Sequence, residues 1–459
     1  GPRRAVRVRV PPPADAREAT GPVALSTRAI LAFWLPLAAT WLMMSVEGPY
    51  LSAIVARLVD PVPNLAAFGV AFTLAWLAES PIIMLLTATT ALAKDRASFL
   101  AFRRFATRLN GAVTAALLVL VLPPVFRFVA ERLLALPPEV ARLAHLATAL
   151  LVPWPAAIGY RRFYQGVLVR NRMTRRVAYG TVVRLATMSA TAAALATATR
   201  LPGALIAAAA LSVGVVAEAA ASRFMARHLV AGLLSENGDA SPPPQRELAR
   251  FYFPLALTSM ISMTTAPLLT FFMSHGPNPV PSLAAWPVVS ALVFLFRSGG
   301  VGFQETSVAL SGEAGENVPA VRRTGALLGA GASLLLAAVA FSPLLGLWYR
   351  VVVGLGPELI PVAVVPTRIL VLLPALEYAL SFLRSRWVLA RQTRPVTLAT
   401  ALEAVGLLSG MVLLVVVARL PGTIAAALAL LLGRLVSCAF LVWLGRTARA
   451  RRAFVSARP

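Results

Sequence analysis

Apolar runs long enough to cross a bilayer, about 20 residues each, recur from one end of this 459-residue chain to the other. Such a chain needs lipid as its solvent. Hydrophobic residues make up 58% of it and charged residues 13%, with a mean hydropathy of +0.77, so no room remains for a soluble catalytic domain. Spans are predicted at 28–58, 63–93, 104–129, 138–169, 176–199, 202–229, 247–274, 281–310, 320–347, 358–390, 395–418 and 421–446. The fold class this implies is an all-α integral membrane protein of about twelve transmembrane helices.

The formal charge of +25 would suggest nucleic acid in a soluble protein, but the placement of the arginines rejects that reading. Alternate connections are arginine-rich. The rich set holds Arg3, Arg4, Arg7 and Arg9, then Lys94, Arg96, Arg103 and Arg104, then Arg170, Arg172, Arg175 and Arg176. It continues with Arg246 and Arg250, Arg322 and Arg323, Arg391 and Arg394, and Arg446, Arg449, Arg451 and Arg452. The positive-inside rule places this set, both termini and the central linker in the cytoplasm of a multi-pass protein of the inner (plasma) membrane. Short outer loops then fall near Asp60, Arg200, His275 and Arg419, and the basic excess is explained by topology and contact with anionic membrane lipids. Residues 1–27, polar and proline-rich, are expected to be a disordered cytoplasmic tail and not a cleaved signal peptide.

The chain is internally duplicated. Arg200-Leu201-Pro202-Gly203 recurs as Arg419-Leu420-Pro421-Gly422, 219 residues on. At a shift of 218, Pro36 meets Pro254, Pro49 meets Pro267, and Leu65-Ala66-Ala67-Phe68 meets Leu283-Ala284-Ala285-Trp286. Two six-helix lobes are expected, residues 28–230 and 247–449, joined by a Ser/Pro-rich cytoplasmic linker at 231–246 and followed by a tail at 450–459. An even number of spans per lobe gives both lobes the same orientation, with a pseudo-twofold axis along the membrane normal.

Charged residues inside such spans should point into the cleft between the lobes, away from lipid. The strongest candidates for a substrate or coupling-ion cavity are Glu47, Glu79, Arg297 and Glu305, with Arg161, Arg162 and Thr265. Glu47 precedes Gly48-Pro49, and its mate is Thr265, just before Pro267. Glu79 corresponds to Arg297, and Arg184 to Glu403, so opposite charges occupy symmetry-related places. Arg184, Glu403 and Glu377 are secondary candidates, either in the cleft or between neighbouring helices. Pro49, Pro267, Gly299 and Gly300 are candidate kinks or hinges. Arg170, Arg384 and Arg386 read as snorkelling anchors, and Arg368, Glu218 and Arg434 as members of ion pairs within a lobe.

No enzyme constellation is visible. The chain has one cysteine, Cys438, and three scattered histidines, His145, His228 and His275, which speaks against a disulfide framework, a metal site or a cofactor. The only lysine, Lys94, lacks the glycines of a P-loop, so ATP hydrolysis is excluded and gradient-driven or facilitated movement remains. Glu47 or Glu305 could carry a coupling proton.

Phe33-Trp34-Leu35-Pro36-Leu37 and Phe251-Tyr252-Phe253-Pro254-Leu255, with Glu47, Ala67-Phe68-Gly69-Val70-Ala71, Trp154-Pro155, Gly166-Val167-Leu168, Glu305 and Val365-Pro366-Thr367-Arg368, resemble the progressive ankylosis protein family. That family lies in the multidrug/oligosaccharidyl-lipid/polysaccharide (MOP) superfamily, which also holds the MATE exporters and lipid flippases. The resemblance implies a two-lobe, alternating-access carrier exporting organic anions such as citrate, nucleotides or pyrophosphate. A coupling proton or sodium, if movement is gradient-driven, and a monomeric state are expected separately. The alternatives are a cation-coupled multidrug exporter, a flippase of lipid-linked precursors, and a scaffold without transport. Arginine favours anions, because a guanidinium keeps its charge at any cellular pH and offers a planar donor fork to carboxylates and phosphates.

Overall fold

The computed structural model describes residues 25–171, 173–235, 242–311, 316–390, 392 and 394–456. Arg3, Arg4, Arg7, Arg9, Arg172, Arg391, residues 236–241 of the linker and the last three residues lie outside the described residues. Among the described residues, twelve helices are long and apolar enough to cross a membrane: α1 Thr27–Ala56, α2 Pro61–Glu79, α3 Arg96–Val121, α4 Pro138–Arg170, α5 Arg175–Ala198 and α6 Gly203–Ser235 in the first half. The second half holds α7 Gln245–His275, α8 Pro279–Leu310, α9 Val318–Ala340, α10 Ile360–Leu389, α11 Arg394–Val417 and α12 Gly422–Thr447. The molecule is an all-α membrane protein built as two pseudo-symmetric six-helix lobes.

The duplication is written into the backbone as well as the sequence. Asp60, before α2, and Asn278, before α8, adopt the same left-handed conformation, φ 50° and ψ 61° against φ 51° and ψ 61°. Wide π-turns follow at matching places, Phe128–Leu133 and Trp348–Val353, each after a proline-started helical turn at Pro123 or Pro343. Both lobe-opening helices break at equivalent residues, Val46 in α1 and Thr264 in α7. Pro49 and Pro267 each sit three residues beyond the break and lack the N–H that the carbonyl four residues back would have received, so the helix kinks there.

The halves diverge at the end of their second helices. α8 runs unbroken through Gly299 and Gly300 to Leu310. Its mate α2, expected to continue to residue 93, stops at Glu79, and the chain turns before a short helix resumes at Leu85–Leu92. Pro81 supplies the reason: its nitrogen has no hydrogen for the Leu77 carbonyl, which accepts instead from the backbone N–H and hydroxyl of Ser80, at 3.2 and 2.7 Å. A second departure is α3, which starts at Arg96 and not at 104, under a capping box in which Asp95 and Ser98 exchange hydrogen bonds. Arg103 and Arg104 are therefore helical residues and not loop residues.

The lobes meet on their symmetry axis. Gly69 of α2 packs on Pro287 of α8, and these two residues are themselves mates, so the axis passes between them. A Cβ on Gly69 would lie 2.7 Å from the proline ring. Nearby, Gly48 abuts Ala291. At the arginine-poor end, Arg57 reaches across to the π-turn Trp348–Val353, donating to the carbonyls of Val352 and Val353 at 2.8 Å and also to that of Val351. Gly354, at φ +80°, leaves the space for this guanidinium that a side chain would fill.

Candidate functional site

Each lateral seam between the lobes carries a side-chain hydrogen bond to a backbone carbonyl of the facing lobe, and these two bonds are symmetry mates. Trp34 Nε1 of α1 donates to the carbonyl of Gly299 at 2.9 Å, and Tyr252 Oη of α7 donates to the carbonyl of Pro81 at 2.7 Å. Donors and acceptors each differ by 218 residues. Gly299 and Gly300 thus serve close packing within a continuous helix: a Cβ on Gly299 would strike Trp34 and Tyr378, one on Gly300 would strike Glu377, and Ser381 donates to the Gly300 carbonyl at 2.8 Å. Neither glycine interrupts α8, so the hinge expected there is not present as a break.

Inside the first lobe, Glu218 of α6 is fully buried and gathers three partners. Arg161 of α4 pairs with it, Gln165 Nε2 donates at 3.2 Å, and Arg184 of α5 lies 3.7 Å away. Arg184 also pairs with Glu47, whose second carboxylate oxygen is buried without a hydrogen-bond partner. Two guanidiniums face two carboxylates, so the buried charges of this network balance. Glu47, Arg161 and Arg184 therefore form one network within the lobe.

The second lobe builds its network on α10, α11 and α12, the mates of α4, α5 and α6, with different residues, and adds α8 where the first lobe adds α1. Glu377 of α10 receives Arg297 of α8 at 3.1 Å and lies 3.4 Å from Arg434 of α12. Glu403 of α11 lies 3.3 Å from Arg434 and 3.4 Å from Arg384. Here three guanidiniums meet two carboxylates. The side chain of Arg297 is 29% exposed, more than any other member of either network. Arg384 is a network member and not a snorkelling anchor. Arg368, expected in an ion pair, instead donates Nε–H to the Ala340 carbonyl at 3.0 Å and stacks on Phe341.

Glu79 and Arg162 form no ion pair among the described residues. Glu79 is buried at the broken end of α2, and the Nε of Arg162 has no partner. Glu305 is exposed and also unpaired among the described residues. It lies eighteen residues, five full turns, beyond Pro287 on α8, which puts it on the same face as the axial contact and near the arginine-rich end. Thr265 is half-buried and donates to the Ser262 carbonyl at 3.2 Å. Gln165 was not legible as a partner of Glu218, since an amide four residues from Arg161 carries no signal of its own.

This arrangement, two helical lobes joined face to face around an axis normal to the membrane, is the fold of solved MOP-superfamily transporters. The chain is similar to an inward-facing multidrug resistance MATE family transporter, with a TM-score of 0.69 and 13% identity over 94% of this chain and 100% of the other. It is also similar to the lipid II flippase MurJ in an inward closed conformation, at 0.64 and 10% over 90% and 87%. A third likeness, 0.64 and 15% over 92% and 95%, is to a MOP superfamily transporter from Pyrococcus furiosus, described as having a binding pocket of reverse polarity that suggests a different function. No family model matches the chain and no curated protein matches it in sequence. At these identities the likeness establishes the fold.

Proposed function

We propose that the chain is a secondary-active or facilitative alternating-access transporter that exports small organic anions, of the citrate, nucleotide or pyrophosphate kind. The observation that carries this reading is the surplus guanidinium of the second lobe, with Arg297 its exposed member on the helix that meets the other lobe. One fork edge of Arg297 is taken by Glu377, and its remaining donors suit a carboxylate or phosphate. Arg162, without an ion pair, is the second anion contact. Arg161 is occupied by Glu218 and holds the first lobe together instead. Glu305, unpaired on the cleft face, carries the coupling proton or lies in the path of sodium. The termini lie in the cytoplasm of an inner (plasma) membrane protein that works as a monomer, and the resemblance to the progressive ankylosis family supports the choice of anions.

A lipid flippase of the same fold would need a lateral opening between α1 and α8, the seam that Trp34 and Gly299 close here. The test is binding to the purified protein in detergent. Citrate or pyrophosphate should bind, Arg297→Ala should weaken that binding about tenfold or more, the loss of a charged hydrogen bond, and Glu79→Ala should weaken it less. Binding of lipophilic cations with no response to these anions would overturn the reading and favour a MATE-like exporter.

A further inference from the structure

One ion pair that the fold prepares is left open. Only 4% of Glu79 is exposed, and its carboxylate has neither an ion pair nor a hydrogen bond among the described residues. Its oxygens still keep accessible surface, as do the terminal nitrogens of Arg162, whose Nε is buried without a partner. Both residues lie between the same two contacts of neighbouring helices. Toward the arginine-poor end, Phe72 of α2 packs on Trp154 of α4, with ring centroids 5.6 Å apart. Toward the other end, Gly166 of α4 fits so closely against the short helix Leu85–Leu92 that a Cβ would lie 2.5 Å from Thr89, and Thr90 donates to the Gly166 carbonyl at 3.2 Å. Buried opposite charges at one level call for a state in which they meet, or for a ligand that comes between them.

The second lobe shows what meeting looks like. There the mates of α2 and α4 are α8 and α10, and they are joined by Arg297, which donates to Glu377 at 3.1 Å. Glu79 is the mate of Arg297, and Ile158 is the mate of Glu377. Arg162 stands one turn beyond Ile158, and a helical side chain leans back over the turn before it, so its guanidinium reaches the level of Ile158. The first lobe thus carries the same bridge with its charges reversed, acid on the second helix and base on the fourth. It is closed in one lobe and open in the other. The difference lies in the backbone: α8 is continuous past Arg297, whereas α2 ends at Glu79 and turns at Pro81. Tyr252 of α7 holds the Pro81 carbonyl at 2.7 Å, so the seam between the lobes also sets where the end of α2 sits.

We propose that Glu79 is a tethered stand-in for the transported anion, open here and closing onto Arg162 when the cleft empties. The inference rests on the reading of Arg162 as an anion contact. A glutamate carboxylate offers a guanidinium the same pair of acceptor oxygens as a carboxylate of the substrate. With substrate bound, the anion neutralises Arg162 and Glu79 stays apart. After release, Glu79 takes that place, so the empty carrier closes without a stranded buried charge and returns for another molecule. Glu79 therefore decides whether the carrier moves anions in net fashion or only exchanges them.

The test uses proteoliposomes of the full chain loaded with labelled citrate or pyrophosphate, with the membrane potential clamped by potassium and valinomycin. Net efflux into anion-free medium is compared with exchange against the same anion outside, at saturating concentration. The parent should do both. Glu79→Gln should lower net efflux relative to exchange about tenfold or more, the loss of one charged hydrogen bond from the closed empty cleft. Adding Arg162→Gln removes the stranded charge and should return the ratio to that of the parent. If Glu79→Gln cannot be purified, Glu79→Asp, one methylene shorter, should lower the ratio in part. An unchanged ratio in Glu79→Gln, or in Glu79→Asp where it stands in, overturns the proposal. So does an equal loss of efflux and exchange, a parent that exchanges without net efflux, or a low ratio that Arg162→Gln fails to restore, which would make Glu79 a proton carrier acting alone. No movement of either anion by the parent overturns the anion reading together with this inference, whereas the other results strike this inference alone.

Discussion

Glu218→Gln is the substitution for which the structure gives the clearest magnitude. Glutamine keeps the volume of the side chain and removes its charge, leaving Arg161 and Arg184 buried with Glu47 as their one carboxylate. Removing one partner from a buried ion pair costs about 3–5 kcal/mol, because the charge left behind stays desolvated. For a lobe of about two hundred residues each kcal/mol moves the melting midpoint by about 2–4 °C, so the variant should melt about 6–20 °C below the parent. Melting of the purified protein in detergent, followed by tryptophan fluorescence, reads this directly. The double variant Arg161→Met, Glu218→Met leaves Arg184 paired with Glu47 and should lose less than Glu218→Gln, although it changes two residues. If Glu218→Gln melts with the parent, the network is solvated and the argument from burial fails.

Glu47→Gln should lower the midpoint by several degrees because it leaves Arg161 and Arg184 sharing Glu218, whereas Glu305→Gln, with no ion-pair partner among the described residues, should keep the midpoint and reduce coupled transport in a flux assay. Arg57→Ala, by releasing the carbonyls of Val351, Val352 and Val353, and Gly69→Ala, by forcing a Cβ against Pro287, should both part the lobes at the arginine-poor end. Faster labelling of a cysteine placed at residue 291, assayed with a membrane-impermeant thiol reagent, would register that opening. Trp34→Phe and Tyr252→Phe each remove one seam hydrogen bond and should each cost about 1 kcal/mol in melting experiments, adding in the double variant since the seams are separate.

The parts of this fold legible in the sequence are those that local chemistry dictates. Pro36, Pro49 and their mates announced the duplication, and the reversal from Glu79 to Arg297 announced that the lobes carry different charge. Partner choice was not legible, because it depends on how each helix is turned about its own axis. α6 is apolar nearly all round, so nothing in its pattern says that Glu218 faces Arg161 and Arg184. The C-lobe network hid for the same reason: its members are not the mates of the first network except where Arg184 corresponds to Glu403 and Gln165 to Arg384. The capping box of Asp95 and Ser98 was readable, and would have started α3 at Arg96 and put Arg103 on a helix. The break at Pro81 against the continuity at Gly299 follows from proline and glycine chemistry once the two are aligned.

The central claim, that the cleft carries anions past Arg297, is tested most directly by counterflow in proteoliposomes of the full chain. Vesicles loaded with unlabelled citrate or pyrophosphate should accumulate the labelled anion transiently, Arg297→Ala should abolish that accumulation while the variant stays folded, and a lipophilic cation should neither drive nor inhibit it. Counterflow of the cation with none of either anion, or anion counterflow that Arg297→Ala leaves intact, would contradict the account.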